Sequence, residues 1–326
     1  MKLLIIHNPV AGSRWRSSRF DQIESLLKKA SIPFMVRVTR APGDATHFAE
    51  QAVDENYSHV IVLGGDGTIR EVAQALAGSS LILIPVPVGT ANLLAHELGL
   101  DSDLNHLPYL LENGLVKRID LGTVFRQEHG KRVSCSHFVL MAGIGMDAVA
   151  VRGVNPYLKR WLGWGLYILA GFWNVVRHQA FEAKLHFLDP PMESVTVKAW
   201  VIVIGNARAY GIKGIRVTTH AKIDDGLLDI CVFQSQSLWH FIGHFFKVLA
   251  GRHLEDKEIL YFQAKSFKIE TEKPIPVQLD GDLFGETPLS VSVSPGLLNI
   301  LVPKENERGL EPPLTESSLQ VAQDDI

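Results

Sequence analysis

In residues 1–100, short apolar runs alternate with longer segments whose apolar side chains recur at helical spacing. The runs cover residues 2–6, 34–38, 59–63 and 81–86. They are short and rich in β-branched residues, as buried strands are. The segments with helical spacing cover residues 18–30, 44–54, 68–77 and 90–98. This alternation predicts a doubly wound, Rossmann-like parallel sheet, which binds ligands at the carboxyl ends of its strands.

Beyond residue 119 the pattern changes, because strand-like runs separated by turn residues dominate. These runs cover residues 119–125, 136–141, 183–188, 194–204, 227–233, 266–271, 277–279, 290–293 and 297–302. Two apolar segments, 156–178 and 238–251, have helical spacing instead. Many short strands with regular turns predict a β-sandwich or barrel. The expected organisation is an α/β domain over 1–120, a β domain over 121–296, and a last strand at 297–303 that returns to the first domain.

Composition and charge narrow the class of protein. With 46% hydrophobic and 21% charged residues, the chain of 326 residues is not expected to be wholly disordered. The net charge of −3 argues against a nucleic-acid binder with a basic surface. Residues 304–326 alone carry a net −4, so this acidic tail is expected to be disordered while the remaining chain is near +1. Two cysteines and the lack of a signal peptide suggest a cytoplasmic protein.

The strongest chemical motif is the run GGDGT at residues 64–68, placed between a predicted strand and a predicted helix. Glycines there let the backbone approach a ligand, and the N–H groups at a helix N-terminus bind phosphates. A carboxylate beside phosphate needs a cation between them, so Asp66 is predicted to face Mg²⁺. The alternative is an ordinary strand-to-helix turn in which Asp66 is a cap.

Two further glycine-bearing loops, at residues 8–12 and 87–92, follow other strands of the same predicted sheet. Three such loops on one sheet edge would converge on a single crevice. Arg14, Arg16 and Arg19 follow the first loop and are candidate phosphate ligands or solvated helix residues. Neither a GxxxxGK[ST] loop nor an HRD motif of protein kinases is present, so those families are not supported.

These loops, taken in order, resemble the diacylglycerol kinase catalytic domain family of bacterial lipid kinases, related to sphingosine and ceramide kinases. Further matching motifs are AGIGMDA at 142–148, DDGLLD at 224–229 and DGD at 280–282, so the resemblance covers about residues 1–303. NAD kinases share the GGDGT loop but lack the GTxN element found here at 89–92. The resemblance implies an NAD kinase/diacylglycerol kinase-like fold and an ATP- and Mg²⁺-dependent kinase that phosphorylates diacylglycerol or a related lipid alcohol.

The resemblance also implies roles for particular residues. The late DG-acid element supplies the base in the family, which makes Asp282 the expected acceptor of the lipid hydroxyl's proton. A Mg²⁺ site would use the Asp225 carboxylate with the backbone carbonyls of Lys222 and Leu227. The expected ATP contacts are Asn8, Pro9, Val10, Ala11, Gly12, Thr39, Gly64, Gly65, Asp66, Gly67, Thr68, Ile69, Arg70, Thr90 and Asn92.

Three departures from the family pattern keep alternatives open. Asp282 stands where relatives have Glu, and Leu93 stands where many have Asp, a loss that Asp120 could offset in part. The segment 209–214 replaces a run of glycines. A nucleotide- or lipid-binding sensor without activity is therefore one alternative, and an NAD kinase is another. Without the resemblance, the Asp-Gly pairs at 225–226 and 280–281 are also ordinary turn signals.

The lipid substrate suggests a membrane partner. Segments 156–178 and 238–252 combine apolar and aromatic residues with basic residues, a composition typical of membrane interfaces. We expect at least one of them to contact the membrane surface peripherally, the alternative being two core helices. The longest uncharged stretch, 161–176, is shorter than the roughly 20 residues of a spanning helix. A homodimer is a further open expectation, and no nucleic-acid partner is expected.

Overall fold

A computed structural model describes residues 1–11, 16–89, 91–100, 103–128, 131–152, 179–210, 212–234 and 238–304. The first half alternates strands and helices as expected. Its elements are β1 (Leu3–His7), α1 (Arg16–Lys29), β2 (Phe34–Val38), α2 (Asp44–Asp54), β3 (His59–Gly64), α3 (Asp66–Leu76), β4 (Ile82–Pro87), α4 (Leu93–Glu97) and α5 (Leu107–Asn113). The four strands are parallel in the order β2-β1-β3-β4. This confirms the predicted parallel-sheet α/β fold.

Alternation along β1 shows why both faces of this sheet are covered. Leu4 and Ile6 pack in one apolar cluster with residues of α2 and α3. Leu3 and Ile5 point to the opposite face and pack in a second cluster with Ile23 of α1. All four strand residues are at most 2% exposed, as expected of a parallel strand buried on both sides.

The second half is dominated by antiparallel strands. Its elements are β5 (Leu115–Glu128), β6 (Lys131–Phe138), β7 (Met141–Gly145), α6 (Met146–Arg152), β8 (Phe181–Asp189), β9 (Val195–Ala199), β10 (Val201–Gly205), β11 (Ala209–Tyr210), β12 (Ile212–Arg216), β13 (Leu228–Phe233), α7 (Leu238–Leu249), β14 (Ile259–Ala264), β15 (Ser266–Thr271), β16 (Pro276–Leu279), β17 (Asp282–Glu286) and β18 (Leu289–Val302). One sheet of six strands has the order β14-β13-β10-β7-β16-β17. It packs on strands of the larger sheet through a shared apolar core, which confirms the predicted β-sandwich.

Two long strands connect the halves. In β18, residues 289–292 pair with β15, while Asn299 and Ile300 pair in parallel with β4. β5 lies antiparallel to β18 along most of its length. One ten-stranded sheet therefore runs from the α/β half into the sandwich. The division at residues 120 and 296 stays a prediction, since both positions lie inside these continuous strands.

Two apolar runs that predicted single strands are each divided between two sheets. Run 136–141 separates into β6 and β7, because the N–H groups of residues 139–141 bond to the Asp280 carboxylate instead of a strand. Run 194–204 separates into β9 and β10 at Trp200, whose N–H bonds to the Phe233 carbonyl. Conversely, the runs 290–293 and 297–302 form the single strand β18, with a register irregularity between them.

The predicted helices are found with shifted limits. Helix α4 begins at Leu93 and not at residue 90, because Asn92 has a left-handed conformation with φ of 49°. The predicted segment 238–251 forms α7, whereas 156–178 lies outside the described residues. Among the described residues, no helix combines the length and apolarity that a membrane span requires.

Candidate functional site

The four parallel strands bring the predicted nucleotide loops to one edge of the sheet. The N–H of Asn8, just after β1, donates to the carbonyl of Leu63 near the end of β3 at 2.9 Å. The N–H of Thr39, just after β2, donates to the carbonyl of His7 at 2.9 Å. Gly64 is in register with Pro87 at the end of β4. The residues after all four strands are therefore neighbours, as the sequence predicted for three of the loops.

Asn8 connects the first loop to the GGDGT loop. Its side-chain amide Nδ2 donates to the Thr68 hydroxyl at 2.8 Å, and its Oδ1 accepts the N–H of Val10 at 3.0 Å. One side chain therefore fixes its own loop and the first turn of α3. This arrangement brings together two residues, Asn8 and Thr68, that were predicted separately as ATP contacts.

Close backbone approach explains two of the glycines. A Cβ on Gly64 would lie 2.5 Å from the Thr68 Cβ, and a Cβ on Gly89 would lie 2.8 Å from the Gly65 Cα. Any larger residue at either position would therefore displace a neighbouring loop. The loops after β3 and β4 consequently touch, which gives one continuous surface where α3 begins.

Asp66 occupies the junction of these loops, and it acts as a cap. Its carboxylate accepts the N–H of Asn92 at 3.0 Å and that of Leu93 at 2.7 Å, so it holds the start of α4. Burial raises the pKa of Asp66, and these backbone hydrogen bonds oppose that rise. The sequence offered Asp66 as a cap of α3, but its carboxylate instead binds the N–H groups at the start of α4. A contact of Asp66 with Mg²⁺ stays a prediction.

The other predicted nucleotide residues lie in several settings, and the Ile69 side chain packs in the apolar core of the α/β half. Gly12 and Thr90 lie outside the described residues, as does Arg14, and the side chain of Arg16 is likewise outside them. Asn92 is described, and its side-chain amide bonds back to Gly89 through Oδ1 and Nδ2 at 2.7 and 2.8 Å. Arg19 donates to the Pro87 carbonyl at 2.7 Å, so it braces the fourth loop from α1.

Asp282, the predicted base, lies at the start of β17 and forms an ion pair with Arg70 of α3. The Asp282 side chain is 57% exposed, whereas that of Arg70 is only 18% exposed. The buried Nε of Arg70 has no hydrogen-bond partner among the residues that the structure describes. The pair places a solvent-accessible carboxylate of the β half beside α3, the helix that follows the GGDGT loop.

The turn before Asp282 is fixed by Asp280, a residue whose role the sequence did not reveal. Its half-buried side chain accepts three backbone N–H groups through the carboxylate, those of Val139, Leu140 and Met141, at 2.7 to 2.9 Å. Burial raises the pKa of Asp280, and these bonds together with the nearby Arg70 charge oppose the rise. The Asp-Gly turn signal was visible in the sequence, but the three donors come from a segment about 140 residues away.

The predicted metal residues lie together in a second place. Lys222, Asp225 and Leu227 line one cleft of about 550 Å³ between β12 and β13. The Asp225 carboxylate accepts the Leu227 N–H at 3.0 Å, and burial, followed by the charges of Asp120 and Asp224, raises its pKa. Asp120 accepts the N–H groups of Gly226 and Gly296, both at 2.7 Å. Asp120 is therefore engaged in holding this turn against β18.

A buried carboxylate behind this cleft fits a cation site. Asp229 is fully buried, and its Oδ1 accepts the Tyr261 hydroxyl at 2.5 Å and the Gln263 amide at 3.0 Å. Its Oδ2 has no hydrogen-bond partner among the described residues. Burial raises the pKa of Asp229, and the charge of Asp225 adds to the rise. Two neighbouring carboxylates with one unpaired oxygen suit a divalent cation with oxygen ligands.

Comparisons with known proteins agree with this architecture. Residues 2–124 match the family model described as the diacylglycerol kinase catalytic domain. Residues 141–302 match the model described as the YegS C-terminal NAD kinase beta sandwich-like domain. The two matches together span both halves of the fold and include Asp66, Asp225 and Asp282.

Individual relatives are similar over nearly the whole chain. A diacylglycerol kinase of Bacillus subtilis is 26% identical, over 94% of this chain and 98% of its own. A probable lipid kinase YegS-like protein of Pseudomonas aeruginosa is 29% identical, over 95% of this chain and 97% of its own. The crystal structure of a candidate diacylglycerol kinase from Bacillus anthracis superposes with a TM-score of 0.74 at 26% identity, covering 92% of this chain and 95% of that one.

Proposed function

Because the chain belongs to the diacylglycerol kinase catalytic domain family, we propose that it is an ATP- and Mg²⁺-dependent lipid kinase. It transfers the γ-phosphate to the hydroxyl of diacylglycerol or a related lipid alcohol. The observation that carries the proposal is the ion pair of Asp282 with Arg70, which puts an exposed carboxylate beside the nucleotide loops. Such a carboxylate is placed to accept a proton from a hydroxyl that approaches the phosphates.

The nucleotide loops bind ATP through backbone and cationic groups. The N-cap residue of α3, Gly65, offers no side-chain cap, and the positive dipole end of the helix would face the phosphates. Gly65 and Gly67 have open space where a Cβ would stand, so phosphate oxygens can approach their backbone. Arg70 adds a guanidinium at the same helix end. Asn8 and Asp66 act indirectly, because their hydrogen bonds keep the loops after β1, β3 and β4 in contact.

The transfer step then needs a base and a path by which the lipid hydroxyl can reach the γ-phosphate. The lipid hydroxyl gives its proton to the Asp282 carboxylate while its oxygen forms the new bond to the γ-phosphorus. The bond from that phosphorus to the β–γ bridging oxygen breaks, and ADP leaves with the electron pair. Arg70 contacts Asp282 in this structure, and its guanidinium would stabilise the negative charge that develops during transfer.

The metal site is assigned to the cleft between β12 and β13. Asp225 and the carbonyls of Lys222 and Leu227 would hold the ion, with the unpaired oxygen of Asp229 behind them. Bound Mg²⁺ would balance these carboxylates and fix the turn, while Mg²⁺ that accompanies ATP neutralises phosphate charge. The turn is also held without a metal, because Asp120 binds Gly226 of this turn and Gly296 in β18.

The lipid side of the protein is assigned to helix α7. Trp239, Phe246 and Leu249 are 80%, 64% and 53% exposed and recur along one face of the helix. The opposite face is fixed, because His244 bonds to Asp256 at 3.0 Å and Phe241 stacks on Trp200. Large exposed apolar side chains on one helix face are typical of contact with a membrane surface. In this proposal, the protein binds its lipid substrate at the membrane surface, as a peripheral membrane protein.

A lipid panel tests the proposed activity. The wild-type protein, ATP and Mg²⁺ are incubated with mixed micelles that each contain one lipid alcohol, and the products are identified by mass. A gain of one phosphate on diacylglycerol or a related alcohol is expected. Asp66→Ala should lose about 100-fold or more in kcat/KM for ATP, since the loops it joins bind the phosphates. Asp54→Asn, an exposed carboxylate at the end of α2, serves as the matched control.

Other outcomes separate the alternatives. ATP binding without any phosphorylated lipid, also in Asp282→Glu, would indicate a nucleotide- or lipid-binding sensor. NADP formed from NAD in a parallel reaction would indicate an NAD kinase. Transfer to lipid by Asp66→Ala at the wild-type rate would rule out the assigned nucleotide site.

A further inference from the structure

Two polar side chains, Asp147 and Gln278, contact each other next to the turn that precedes Asp282. Gln278 is in β16 and fully buried, and Asp147 is in the first turn of α6. The Gln278 Nε2 donates to the Asp147 carboxylate at 2.6 Å, while the Gln278 Oε1 accepts the N–H of Gly281 at 2.6 Å. Both ends of one amide are thus used to connect a helix to the turn immediately before Asp282.

Burial makes this connection costly to break. A buried polar group that loses its partner gives up a hydrogen bond without regaining one to water. Asp147 also accepts a hydrogen bond from the Tyr210 side chain, and burial raises its pKa against the effect of these bonds. A neutral amide at position 147 could make the same two contacts, because the Tyr210 hydroxyl can either donate or accept.

Gly143 in the neighbouring strand β7 leaves space for the pair. Gly143 is in register with Gln278, and a Cβ built on it would lie 1.8 Å from Asp147 Oδ2 and 2.6 Å from Gln278 Nε2. Its backbone is an ordinary strand without positive φ, so conformation does not require glycine there. Glycine is required because the Asp147 and Gln278 side chains occupy the space where a Cβ would stand. This contact explains two residues of the AGIGMDA motif at 142–148, Gly143 and Asp147.

The same turn is held from its other side by Asp280. Asp280 and Gly281 both have positive φ, 47° and 87°, as a tight hairpin turn requires. The three N–H groups bound to the Asp280 carboxylate fix the first turn residue, and Gln278 fixes the second. Asp282 follows directly, and its carboxylate reaches Arg70 across the gap to α3.

We propose that Asp147 and Gln278 are positioning residues, which hold the Asp280–Gly281 turn so that Asp282 stays aligned with the nucleotide loops. The proposal rests on the phosphotransfer function proposed above. Neither side chain touches a reacting atom. Their effect passes through the backbone of Gly281, and a displacement of about 1 Å at a reacting group can lower a rate by roughly 100-fold.

The substitution Gln278→Met tests the connection, because methionine keeps the volume and removes both hydrogen bonds. Amide hydrogen exchange in the peptide 279–284 should become about 3- to 10-fold faster, as the loss of one backbone-binding hydrogen bond predicts. The kcat for lipid phosphorylation should fall about 10-fold or more. The KM for ATP should change less than about 2-fold, since the nucleotide loops are untouched.

Two further variants separate positioning from a loss of stability. Asp147→Asn retains both contacts and should keep wild-type exchange and kcat. Asn299→Leu is the control, because Asn299 donates its side-chain amide to the Ser79 carbonyl beside the first residues of β4, at the end of the sheet opposite the nucleotide loops. It should lose a similar amount of thermal stability and leave exchange at 279–284 and kcat unchanged. If Gln278→Met does not fold, Asp147→Ala removes the bonds of Asp147 to Gln278 and Tyr210, leaves the Gln278–Gly281 bond in place, and should change exchange and kcat in the same direction.

Amide hydrogen exchange and enzyme kinetics can each contradict the proposal independently. Wild-type exchange at 279–284 in Gln278→Met would show that Gln278 does not hold the turn. Faster exchange with an unchanged kcat would show that the turn's alignment does not matter for transfer. If the wild-type protein phosphorylates no lipid, the proposed function fails on its own, and exchange alone then decides whether the pair holds the turn.

Discussion

A carboxylate removed from water must have its charge balanced by hydrogen-bond donors, and Asp66 obtains two from the start of α4. The same bonds join the GGDGT loop to the loop after β4. The sequence indicates that a carboxylate beside predicted phosphate loops is significant. It does not indicate the donors, because they are 26 and 27 residues further along the chain. Local spacing predicts which residues lie near the site but not which contacts they make.

The Asp225 cleft leads to a prediction about metal removal. A few millimolar Mg²⁺ should raise the melting temperature of the wild-type protein by about 2–4 °C over sodium chloride of equal ionic strength, because a ligand stabilises the folded state that binds it. Chelation should reverse the shift. Asp225→Asn should lose it, as measured by thermal unfolding.

The neighbouring Asp224 provides the control for this measurement. Asp224 pairs with Lys117 at 2.8 Å and is outside the proposed ligand set, so Asp224→Asn should keep the Mg²⁺ shift. A full Mg²⁺ shift in Asp225→Asn would remove the metal assignment, and so would a wild-type protein that responds equally to both salts.

At the scale of the elements, hydrophobic periodicity predicts the parallel half better than the β half. Strands β1 to β4 lie within one residue of their predicted limits, because each is a short apolar run ended by polar residues. In the β half, runs 136–141 and 194–204 pass from one sheet to the other without a polar break. Both faces of the sandwich core are apolar, so the sequence pattern alone does not show where the chain changes sheets.

Helix α7 gives a prediction about membrane binding. Exchanging Trp239 and Phe246 for alanine should weaken binding to vesicles of zwitterionic and anionic phospholipids by about 10-fold or more. Burying each of these side chains is worth roughly 1.5–3 kcal/mol. Thermal stability should stay close to wild type, because both side chains are largely exposed. Co-sedimentation with the vesicles measures the binding.

An exposed apolar residue elsewhere controls for a general loss of surface hydrophobicity. Met35 on β2 is 50% exposed, and Met35→Ala should bind the vesicles as the wild type does. Unchanged vesicle binding in the Trp239→Ala, Phe246→Ala double variant would mean that another surface, or none, meets the membrane.

In the whole molecule, one ten-stranded sheet continues from the α/β half into the sandwich, so hydrogen-bonded strands connect the two halves. The gap between them holds the contact that matters most here, Arg70 with Asp282, 212 residues apart in sequence. The family resemblance identified each residue separately as a site residue. Their ion pair follows only from the fold, because no local pattern links a helix of one half to a hairpin of the other.

The central claim is that Asp282 and the nucleotide loops form one phosphotransfer site. Its most direct test is the single-turnover rate of lipid phosphorylation in Asp282→Asn, measured together with the Kd for ATP. The claim predicts a rate about 100- to 10,000-fold below wild type, the contribution typical of a general base, with a Kd for ATP within about 3-fold of the wild-type value. A wild-type transfer rate in Asp282→Asn would contradict it.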